Sequence, residues 1–527
     1  MKRSDGARLE LLHALAAGAV PLVVYLLTRS EVYSYDALDY ASSIREGAML
    51  FHPPHVLYNF LMHGLWNIAQ AALPRADALY VLATADAVFT AFTVALLWRF
   101  LRWTGASRIR AWTGAMLWAG LFSTWKLATT VEVYPLFLLL VFALTLLLAY
   151  EHGSWGWFAL GLAFGFCILL HQMAALVVLV VFVALIIRPH AESRKQGFLF
   201  LGGAILVSLA GFVTVAAFKG ITTISGFLRW IFFYTSLPEF QGGSWASIDW
   251  STPVRGLAGA LSVFVYPWWM DRWIGHGVAP GLSATLGLVA VAAILLAGLC
   301  VALRTVRRAG TPGRKTLLRT VLGLWAAVSG VFALVWEPTN FEFWHVALLP
   351  LIAWTALRTR AVAVSRPSAV VIVSAVLALW AFNGATRFYH DSRKENNEVF
   401  AAARKVRELM VEPSDMVLSS WLELQPAVRY LYGESLNLES ILRISGLGAT
   451  EEVFTRLDSM IQYSTLHGMV FISDDEMEPD DQRLWYYRNL DREDIRRFYD
   501  PYRLSLEPQT SYVHHGKTIR VYALVLD

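Results

Sequence analysis

Two aspartates lie three residues apart in the segment that follows the first long apolar run of the chain. Asp36 and Asp39 would share one face of a local helix, about one turn apart. Two carboxylates that close tend to raise the pKa of one of them, which suits proton acceptance from a hydroxyl. An ordinary helix-capping role is the alternative for an isolated aspartate. Asp36 is therefore a candidate general base, with Asp39 as its neighbour in the site.

The segment His52-Pro53-Pro54-His55 follows these aspartates. Each proline removes a backbone donor and fixes φ, so this segment stops and redirects the chain. His52 and His55 could hydrogen-bond an anion or ligate a metal, although two histidines at this spacing are weak evidence for a metal site. Residues 56–72 then form an amphipathic segment that we expect to lie in the membrane interface.

Polar residues interrupt the apolar runs at three further places. Glu132 falls at a predicted membrane boundary, where an ionisable side chain is costly and needs a partner or a function; an ion pair with Lys126 is the structural alternative. His171 interrupts the run from 155 to 187, and an interhelical hydrogen bond would explain it equally well. The third place is one turn that contains Asn340, Glu342, Trp344 and His345.

Membrane-spanning helices are the elements that must position these residues. Hydrophobic residues make up 56% of the 527-residue chain and charged residues 16%, which excludes a soluble globular protein. A run of about 20 apolar residues can cross a bilayer. The apolar runs predict a polytopic α-helical membrane protein with about 11 transmembrane helices, at residues 9–28, 77–101, 108–123, 131–150, 155–170, 172–187, 197–218, 281–303, 316–336, 343–357 and 368–386.

The basic loops predict the orientation of these helices. Positively charged segments at residues 2–8, 99–110, 188–195, 304–319 and 358–366 all fall on one face if the N-terminus is cytoplasmic. Counting residues 254–270 as a further span would reverse every later loop, so we interpret residues 253–272 as a re-entrant or interfacial segment. The candidate site residues then gather on the extracytoplasmic face.

The charge distribution divides the chain into two domains. Residues 391–527 hold 16 basic and 24 acidic side chains, a net charge of −8, whereas residues 1–390 hold 28 and 16, a net charge of +12. We expect a transmembrane domain at 1–390, with an interfacial outer loop at 29–76, and a soluble extracytoplasmic α/β domain at 391–527. Helical and strand patterns alternate in this second domain and predict a small, largely parallel sheet, with His514-His515 on the solvated turn of a hairpin. Nothing in either part points to a nucleic-acid partner.

The layout resembles the GT-C superfamily of integral-membrane glycosyltransferases, which use polyprenyl-phosphate sugars, and is most similar to the protein O-mannosyltransferase-like branch. The matching features are an acidic first outer loop with Asp36, the His-Pro-Pro turn at 52–54 and the Thr-x-Glu-Val-Tyr-Pro segment at 130–135. The paired short helices around His171, the Asn-Phe-Glu-Phe-Trp turn at 340–344 and the outer C-terminal domain also fit.

This resemblance implies that Asp36 is the catalytic carboxylate and that Glu132 is a second acidic residue of the site. The chain departs from the family at two positions. His55 stands where related families prefer a glycine, and Ala37 follows Asp36 where the eukaryotic mannosyltransferases have an Asp-Glu doublet. The donor phosphate needs a cation or imidazole, for which the candidates are, in falling order of preference, Arg229, His171 and His345; His52, His55, Asn340, Glu342 and Trp344 complete the expected substrate-binding set.

The expected activity is transfer of a sugar, a mannose or another hexose or pentose, from a polyprenyl-phosphate donor to an acceptor hydroxyl. The expected partners are the polyprenyl-phosphate-linked sugar, a protein or glycan or lipid acceptor, and membrane lipids, in a bacterial inner or plasma membrane. The sequence identifies no certain cofactor and leaves a divalent metal open. A transporter, flippase or polymerase of lipid-linked glycans is the alternative, although we find neither polar mid-span residues nor two matching halves.

Overall fold

Apolar helices form most of the chain up to Asp391. The computed structural model describes residues 2–232, 252–266, 314–358, 366–433, 437–440, 450–479, 491–514 and 517–525. The helices of the first part are α1 Lys2–Leu27, α2 Tyr35–Glu46, α3 Tyr58–Ala72, α4 Ala78–Thr104, α5 Arg108–Gly120, α6 Phe122–Thr129, α7 Tyr134–Leu147, α8 Ser154–Leu170, α9 Ala174–Ile186, α10 Ala191–Phe218, α11 Ile224–Ile231, α12 Thr252–Ser262, α13 Arg314–Trp336, α14 Phe341–Arg358 and α15 Arg366–Asn383.

Several of these helices have the length and composition of membrane spans, which makes the chain an integral membrane protein. Among the described residues, five helices pass this test, and α6 and α7 together make a sixth candidate that is bent by 115°. Each predicted span within the described residues coincides with a helix, whereas the predicted span 281–303 lies outside them. The predicted number of about 11 crossings stays a prediction, because α8, α9 and α14 are shorter apolar helices.

The segment predicted to be re-entrant begins with a short helix. α12 has 11 residues, which gives a length of about 16 Å and cannot cross an apolar core of about 30 Å by itself. A Cβ atom on Gly259 would lie 2.0 Å from the carbonyl oxygen of Pro338 and 2.7 Å from the Trp344 ring. Only glycine therefore allows α12 to approach the turn between α13 and α14 this closely. Residues 267–272 lie outside the described residues.

Contacts between helix ends collect the loops into two groups. At one end, Glu10 accepts hydrogen bonds from Arg102 at 2.9 Å and Arg108 at 3.1 Å, and Lys315 lies 4.9 Å from the centre of the Trp103 ring. Two of the predicted basic segments, 99–110 and 304–319, therefore meet there, and Glu10 follows a third, at residues 2–8. At the other end, the N–H of Ser30 donates to the Thr129 carbonyl at 3.0 Å, and the N–H of Glu31 donates to the Asp391 carbonyl at 2.6 Å.

The C-terminal part is built around a five-stranded mixed sheet with strand order β2-β1-β3-β5-β4. Its elements are α16 Glu398–Leu409, β1 Met416–Leu418, α17 Leu424–Tyr432, β2 Leu438–Glu439, α18 Thr450–His467, β3 Val470–Ser473, α19 Asp474–Met477, α20 Arg492–Tyr499, β4 Leu506–His514 and β5 Lys517–Leu524. β1 pairs in parallel with β2 and β3, whereas β5 is antiparallel to β3 and β4. The predicted α/β sheet is present.

Two details of the predicted sheet are wrong, and both concern β4. The sheet is not largely parallel, because β5 pairs antiparallel with both β3 and β4, and β4, the first strand of the hairpin expected at His514-His515, was not predicted as a strand. β4 is an edge strand with Pro508 and an exposed polar stretch, so it lacks the apolar alternation of a buried strand. His514 is buried and stacks on Trp421 with ring centres 3.9 Å apart, so it does not lie on a solvated turn; His515 lies outside the described residues.

The two ends of the bundle give a topological prediction. Ala191 at the start of α10 and Val411 after α16 are both exposed, so a cysteine at either position can react. In a chain whose Cys167 and Cys300 are replaced by alanine, a membrane-impermeant maleimide should label Val411→Cys in intact cells and Ala191→Cys only after lysis. Labelling of Ala191→Cys in intact cells would reject the predicted orientation.

Candidate active site

Asp36 lies in the first turn of α2 and is not needed as a helix cap. Ser34 precedes the helix, and its hydroxyl accepts a hydrogen bond from the N–H of Ala37 at 3.2 Å. Gly47, with a φ of 67°, ends the same helix in the left-handed conformation that glycine adopts without strain. Asp36 is exposed, whereas Ala37 and Leu38 are fully buried. Since Ser34 caps the helix, the carboxylate of Asp36 remains available for chemistry.

The surroundings of Asp36 favour a carboxyl group that holds a proton more tightly than an ordinary aspartate. Loss of hydration, followed by the charges of Asp39 and Glu423, raises the pKa of Asp36 to about 6. The Asp36 side chain is solvent-accessible, and the surrounding protein still removes part of its hydration. Near neutral pH, such a group is mostly ionised and still basic enough to accept a proton.

Asp39 has a different environment although it lies on the same helix. Arg429 in α17 forms an ion pair with the Asp39 carboxylate at 3.3 Å. Burial raises the pKa of Asp39, the guanidinium of Arg429 opposes that rise, and Glu46 adds to it. The two aspartates therefore do not play equivalent roles: Asp36 faces the site, and Asp39 is held by the C-terminal domain.

Glu132 lies in the break between α6 and α7, and its backbone is held on both sides. Its N–H donates to the carboxylate of Asp86 at 2.9 Å, and its carbonyl accepts a hydrogen bond from the Tyr58 hydroxyl at 3.0 Å. Lys126, the partner suggested by the sequence, interacts electrostatically with Glu132 but lies 3.9 Å from the carboxylate of Asp391. Glu132 is thus fixed next to a cation that it shares with other carboxylates.

The turn between α13 and α14 brings further carboxylates to Asp36. The side chain of Asn340 donates to Glu337 at 3.2 Å and accepts from the N–H of Glu342 at 2.9 Å, while the Trp344 indole donates to the Pro338 carbonyl at 2.8 Å. Burial is the main cause that raises the pKa of Glu337, with a smaller contribution from Asp36.

Glu342 completes a group of carboxylates that we call the acidic cluster. Glu342 interacts electrostatically with Asp36 and Glu132 and accepts a hydrogen bond from Tyr134. The acidic cluster consists of Asp36, Glu132, Glu337 and Glu342. Three carboxylates from two further segments of the chain therefore lie within electrostatic range of Asp36, which the spacing in the sequence alone does not show.

The His-Pro-Pro-His turn is attached to the junction between α8 and α9. The N–H of Gln172 donates to the Pro54 carbonyl at 2.9 Å, and its side-chain amide donates to the Pro53 and Ile231 carbonyls, both at 3.0 Å. The N–H of Leu57 donates to the Leu169 carbonyl at 2.9 Å. These bonds hold the turn against α8, α9 and α11 together.

Three imidazoles meet at this turn, and we call them the histidine cluster. The His52 and His55 rings stack with centres 4.8 Å apart, and His171 lies 6.2 Å from His55. Burial, helped by the charge of Lys219, lowers the pKa of His52 to about 4, and burial also lowers the pKa of His55. The imidazoles of these two histidines are therefore neutral at physiological pH.

Tyr134 connects the two clusters. Its ring centre lies 5.2 Å from that of His171, and its hydroxyl bonds to Glu342. His55 is buried, and neither of its ring nitrogens has a hydrogen-bond partner within the described part of the chain. A buried donor without a partner is costly, so a ligand that supplies acceptor oxygens would be favoured there.

The remaining predicted phosphate ligands differ in their placement. Arg229 is an exposed residue of α11, the helix whose Ile231 carbonyl bonds to Gln172, and therefore lies on an element that borders the histidine cluster. His345 instead lies inside the bundle, where its Nδ1 is 2.9 Å from the Ser123 hydroxyl and its ring stacks on Trp118. The Nδ1 atom of His345 is therefore already hydrogen-bonded within the protein.

Sequence reasoning missed two buried acids that support the site. Asp86 holds the backbone at Glu132. It is a buried acid within the second predicted span, so the expectation that the spans contain no polar residues is wrong there, and this acid was a signal that could have identified it. Asp391 accepts a hydrogen bond from Arg387 at 2.8 Å and lies beside Lys126, at the boundary between the two domains. In the described ranges, no group of three or more His, Cys, Asp or Glu residues is placed to hold a metal ion.

No known protein family and no curated protein matches the sequence. Among solved structures, the chain is similar to ArnT from Cupriavidus metallidurans bound to undecaprenyl phosphate, with a TM-score of 0.50, 13% identity and 97% of each chain covered. An oligosaccharyltransferase from Archaeoglobus fulgidus, tethered with an acceptor peptide, gives a TM-score of 0.49 at 11% identity, covering 97% of this chain and 74% of that one.

The chain has the fold of ArnT. The similarity extends over the transmembrane helices and the small C-terminal sheet, as the resemblance in the sequence implied. The specific relation to the O-mannosyltransferase-like branch stays a prediction.

The contacts of Gln172 predict a measurable loss of stability. Gln172→Ala removes two side-chain hydrogen bonds at the histidine cluster and leaves buried carbonyls less satisfied, which should cost about 1–3 kcal/mol. Thermal unfolding of the detergent-solubilised protein should show a lower midpoint. Gln70→Ala, at an exposed position of α3, is the matched control and should leave the midpoint unchanged. Equal midpoints for both variants would show that the Gln172 bonds are dispensable.

Proposed function

We propose that this protein is a glycosyltransferase that moves a sugar from a polyprenyl-phosphate donor to an acceptor hydroxyl. The observation that carries the proposal is the juxtaposition of two chemically different clusters within an ArnT-like fold. The acidic cluster offers a base, and the histidine cluster offers neutral N–H donors for phosphate oxygens. Tyr134 contacts both clusters, so donor and acceptor could meet between them.

Asp36 is the general base in this proposal. Its carboxylate takes the proton from the acceptor hydroxyl as that oxygen attacks the anomeric carbon of the sugar. The bond between this carbon and the phosphate oxygen breaks, and the electron pair leaves with the polyprenyl phosphate. The Asp36 carboxyl group later releases this proton to water. Because the phosphate is already a good leaving group, base assistance and stabilisation of the departing anion are the two tasks left for the protein.

The histidine cluster is the proposed phosphate site. His55 has buried ring nitrogens that lack hydrogen-bond partners in the described ranges, and a phosphate oxygen would satisfy the N–H among them. Lys219 interacts electrostatically with His52, and α11 brings Arg229 to the same side of the turn. These two cations would balance the charge that develops on the leaving phosphate.

Glu132 and Glu342 are proposed to orient the acceptor. Their carboxylates share the charge of Lys126 and lie within electrostatic range of Asp36. We further propose that the sugar is mannose or another hexose or pentose. The acceptor would be a protein, glycan or lipid hydroxyl on the extracytoplasmic face of a bacterial membrane, where polyprenyl-phosphate sugars replace nucleotide sugars as donors.

Replacement of Asp36 tests the assignment of the base. Asp36→Asn keeps the size and hydrogen bonding of the side chain but cannot accept a proton, so turnover should fall by about 100-fold or more. The measurement is transfer of radioactive sugar from a panel of polyprenyl-phosphate hexoses and pentoses to acceptors in a membrane extract. Donor binding should persist, and Asp39→Asn should cost much less activity. Near-normal transfer by Asp36→Asn would show that Asp36 is not the base, and Glu132 would then be the first alternative to test.

The pH dependence gives a second test of the same residue. The raised pKa of Asp36, about 6, means that protonation removes the base as the pH falls through that value. The rate should therefore drop about tenfold per pH unit below this point and level off above it. Asp39→Asn removes the largest charge contribution to that rise, so the acid limb should move to lower pH. An acid limb at the ordinary pKa of an aspartate, or none, would contradict the assignment.

A further inference from the structure

The C-terminal domain makes several ion pairs and hydrogen bonds to α2, the helix that carries Asp36. Arg429 of α17 bridges two carboxylates of α2, with distances of 3.3 Å to Asp39 and 2.7 Å to Glu46. In return, Arg45 of α2 donates to the Tyr430 carbonyl at 2.7 Å, and its guanidinium lies 4.7 Å from the centre of the Tyr430 ring. Reciprocal contacts of this kind fix both the position and the rotation of α2.

The same helix of the C-terminal domain is also attached to a membrane span. The Tyr430 hydroxyl accepts a hydrogen bond from the N–H of Leu79 at 3.2 Å and donates one to Asp77, both at the start of α4. The Phe400 ring stacks on Tyr430 with centres 5.9 Å apart and lies 5.3 Å from the Tyr33 ring, just before α2. α17 therefore ties α2 to the outer end of α4.

The residue that precedes this helix lies within electrostatic range of Asp36. Glu423 directly precedes α17, makes no side-chain cap for it, and interacts electrostatically with Asp36. Within the described residues, the other titratable groups that interact electrostatically with Asp36 are Asp39 on α2, Glu132 and Tyr134 at the break between α6 and α7, and Glu337 and Glu342 at the turn before α14. Further charges act on these groups: Glu46 and Arg429 on Asp39, Asp86 on Glu132, and Lys126 on both Glu132 and Glu342. Among these described residues, Glu423 of the C-terminal domain acts on Asp36 directly, whereas Arg429 acts on Asp39.

We propose that the C-terminal domain is part of the catalytic unit: Arg429 positions α2 through Asp39 and Glu46, and Glu423 adds its carboxylate to the charges that face Asp36. Arg429 and Glu423 are positioning residues, because they act through α2 and through the field at Asp36. The inference rests on the proposed function only in treating Asp36 as the base.

Removal of the Glu423 charge is a direct test that needs no substrate. A hydrophobic carbodiimide modifies protonated carboxyl groups, so the extent of Asp36 modification in the full-length protein, followed by peptide mass spectrometry against pH, reports its titration. Glu423→Gln is nearly isosteric and removes one negative charge, which should move the midpoint of Asp36 modification to lower pH by roughly 0.3–1 unit. Glu452→Gln, at an exposed position of α18, should leave the midpoint in place. An unchanged midpoint in Glu423→Gln overturns the role of that carboxylate.

Removal of Arg429 tests the positioning role. Arg429→Ala should increase amide hydrogen exchange in α2 by about tenfold or more, the effect of losing roughly 1.4 kcal/mol of local stability, while exchange in β3 and α18 stays as it was. Arg429→Lys can still reach one carboxylate and should restore part of the protection. Arg456→Ala on α18 is the control for loss of an exposed arginine. Unchanged exchange in α2 overturns the positioning role.

These measurements separate this inference from the proposed function. If Asp36→Asn retains transfer activity while the modification and exchange results are as expected, the proposed base is wrong and the coupling of the domains stands. If Asp36→Asn is inactive while Glu423→Gln and Arg429→Ala behave like their controls, the base stands and the C-terminal domain has no part in the site.

Discussion

The break between α6 and α7 is the constraint on which the rest of the site depends. A helix that stops inside an apolar bundle leaves backbone groups without partners, and each one is costly where water is absent. Asp86 and Tyr58 satisfy the N–H and the carbonyl of Glu132 at this break. Because Tyr58 begins α3 and Asp86 lies on α4, the bonds that satisfy the break also fix α3 and α4 around it, and the side chain of Glu132 is left to face Asp36.

The individual helices of the membrane part could be predicted from the sequence because apolar length and basic loops are local signals. The predicted spans at 77–101, 155–170 and 316–336 differ from the helices by a few residues at their ends. The bend of 115° was not predictable in the same way, because the polar residues among 123–130 indicated only a connection between the predicted spans 108–123 and 131–150, not a helix at 122–129 packed at an angle to the next. In the sheet, β4 was missed because an edge strand buries few of its residues.

The candidate site could be predicted in its residue types but not in its grouping. Asp36, Glu132 and Glu342 stood out because carboxylates next to apolar runs are unusual. His345 stood out because an imidazole next to an apolar run is also unusual, but in the structure its Nδ1 is hydrogen-bonded to the Ser123 hydroxyl. Arg429 could not be found by this reasoning, since an arginine on a soluble amphipathic helix has no unusual feature, and its partners lie more than 380 residues earlier in the chain.

The arrangement of charges explains why a C-terminal domain would be useful to such a site. In the proposal, the base has a pKa near neutral pH, which burial raises first and the negative charges of Asp39 and Glu423 raise further. Those negative charges also repel one another. Within the described residues, Lys126 is engaged with Asp391 at the boundary of the domains, and Arg429 bridges Asp39 and Glu46 from outside. In the proposed arrangement, the C-terminal domain supplies positive charge through Arg429, which bridges two carboxylates of α2, and negative charge through Glu423, which adds to the burial that raises the pKa of Asp36. One docked helix can do both because Glu423 and Arg429 lie six residues apart at its two ends.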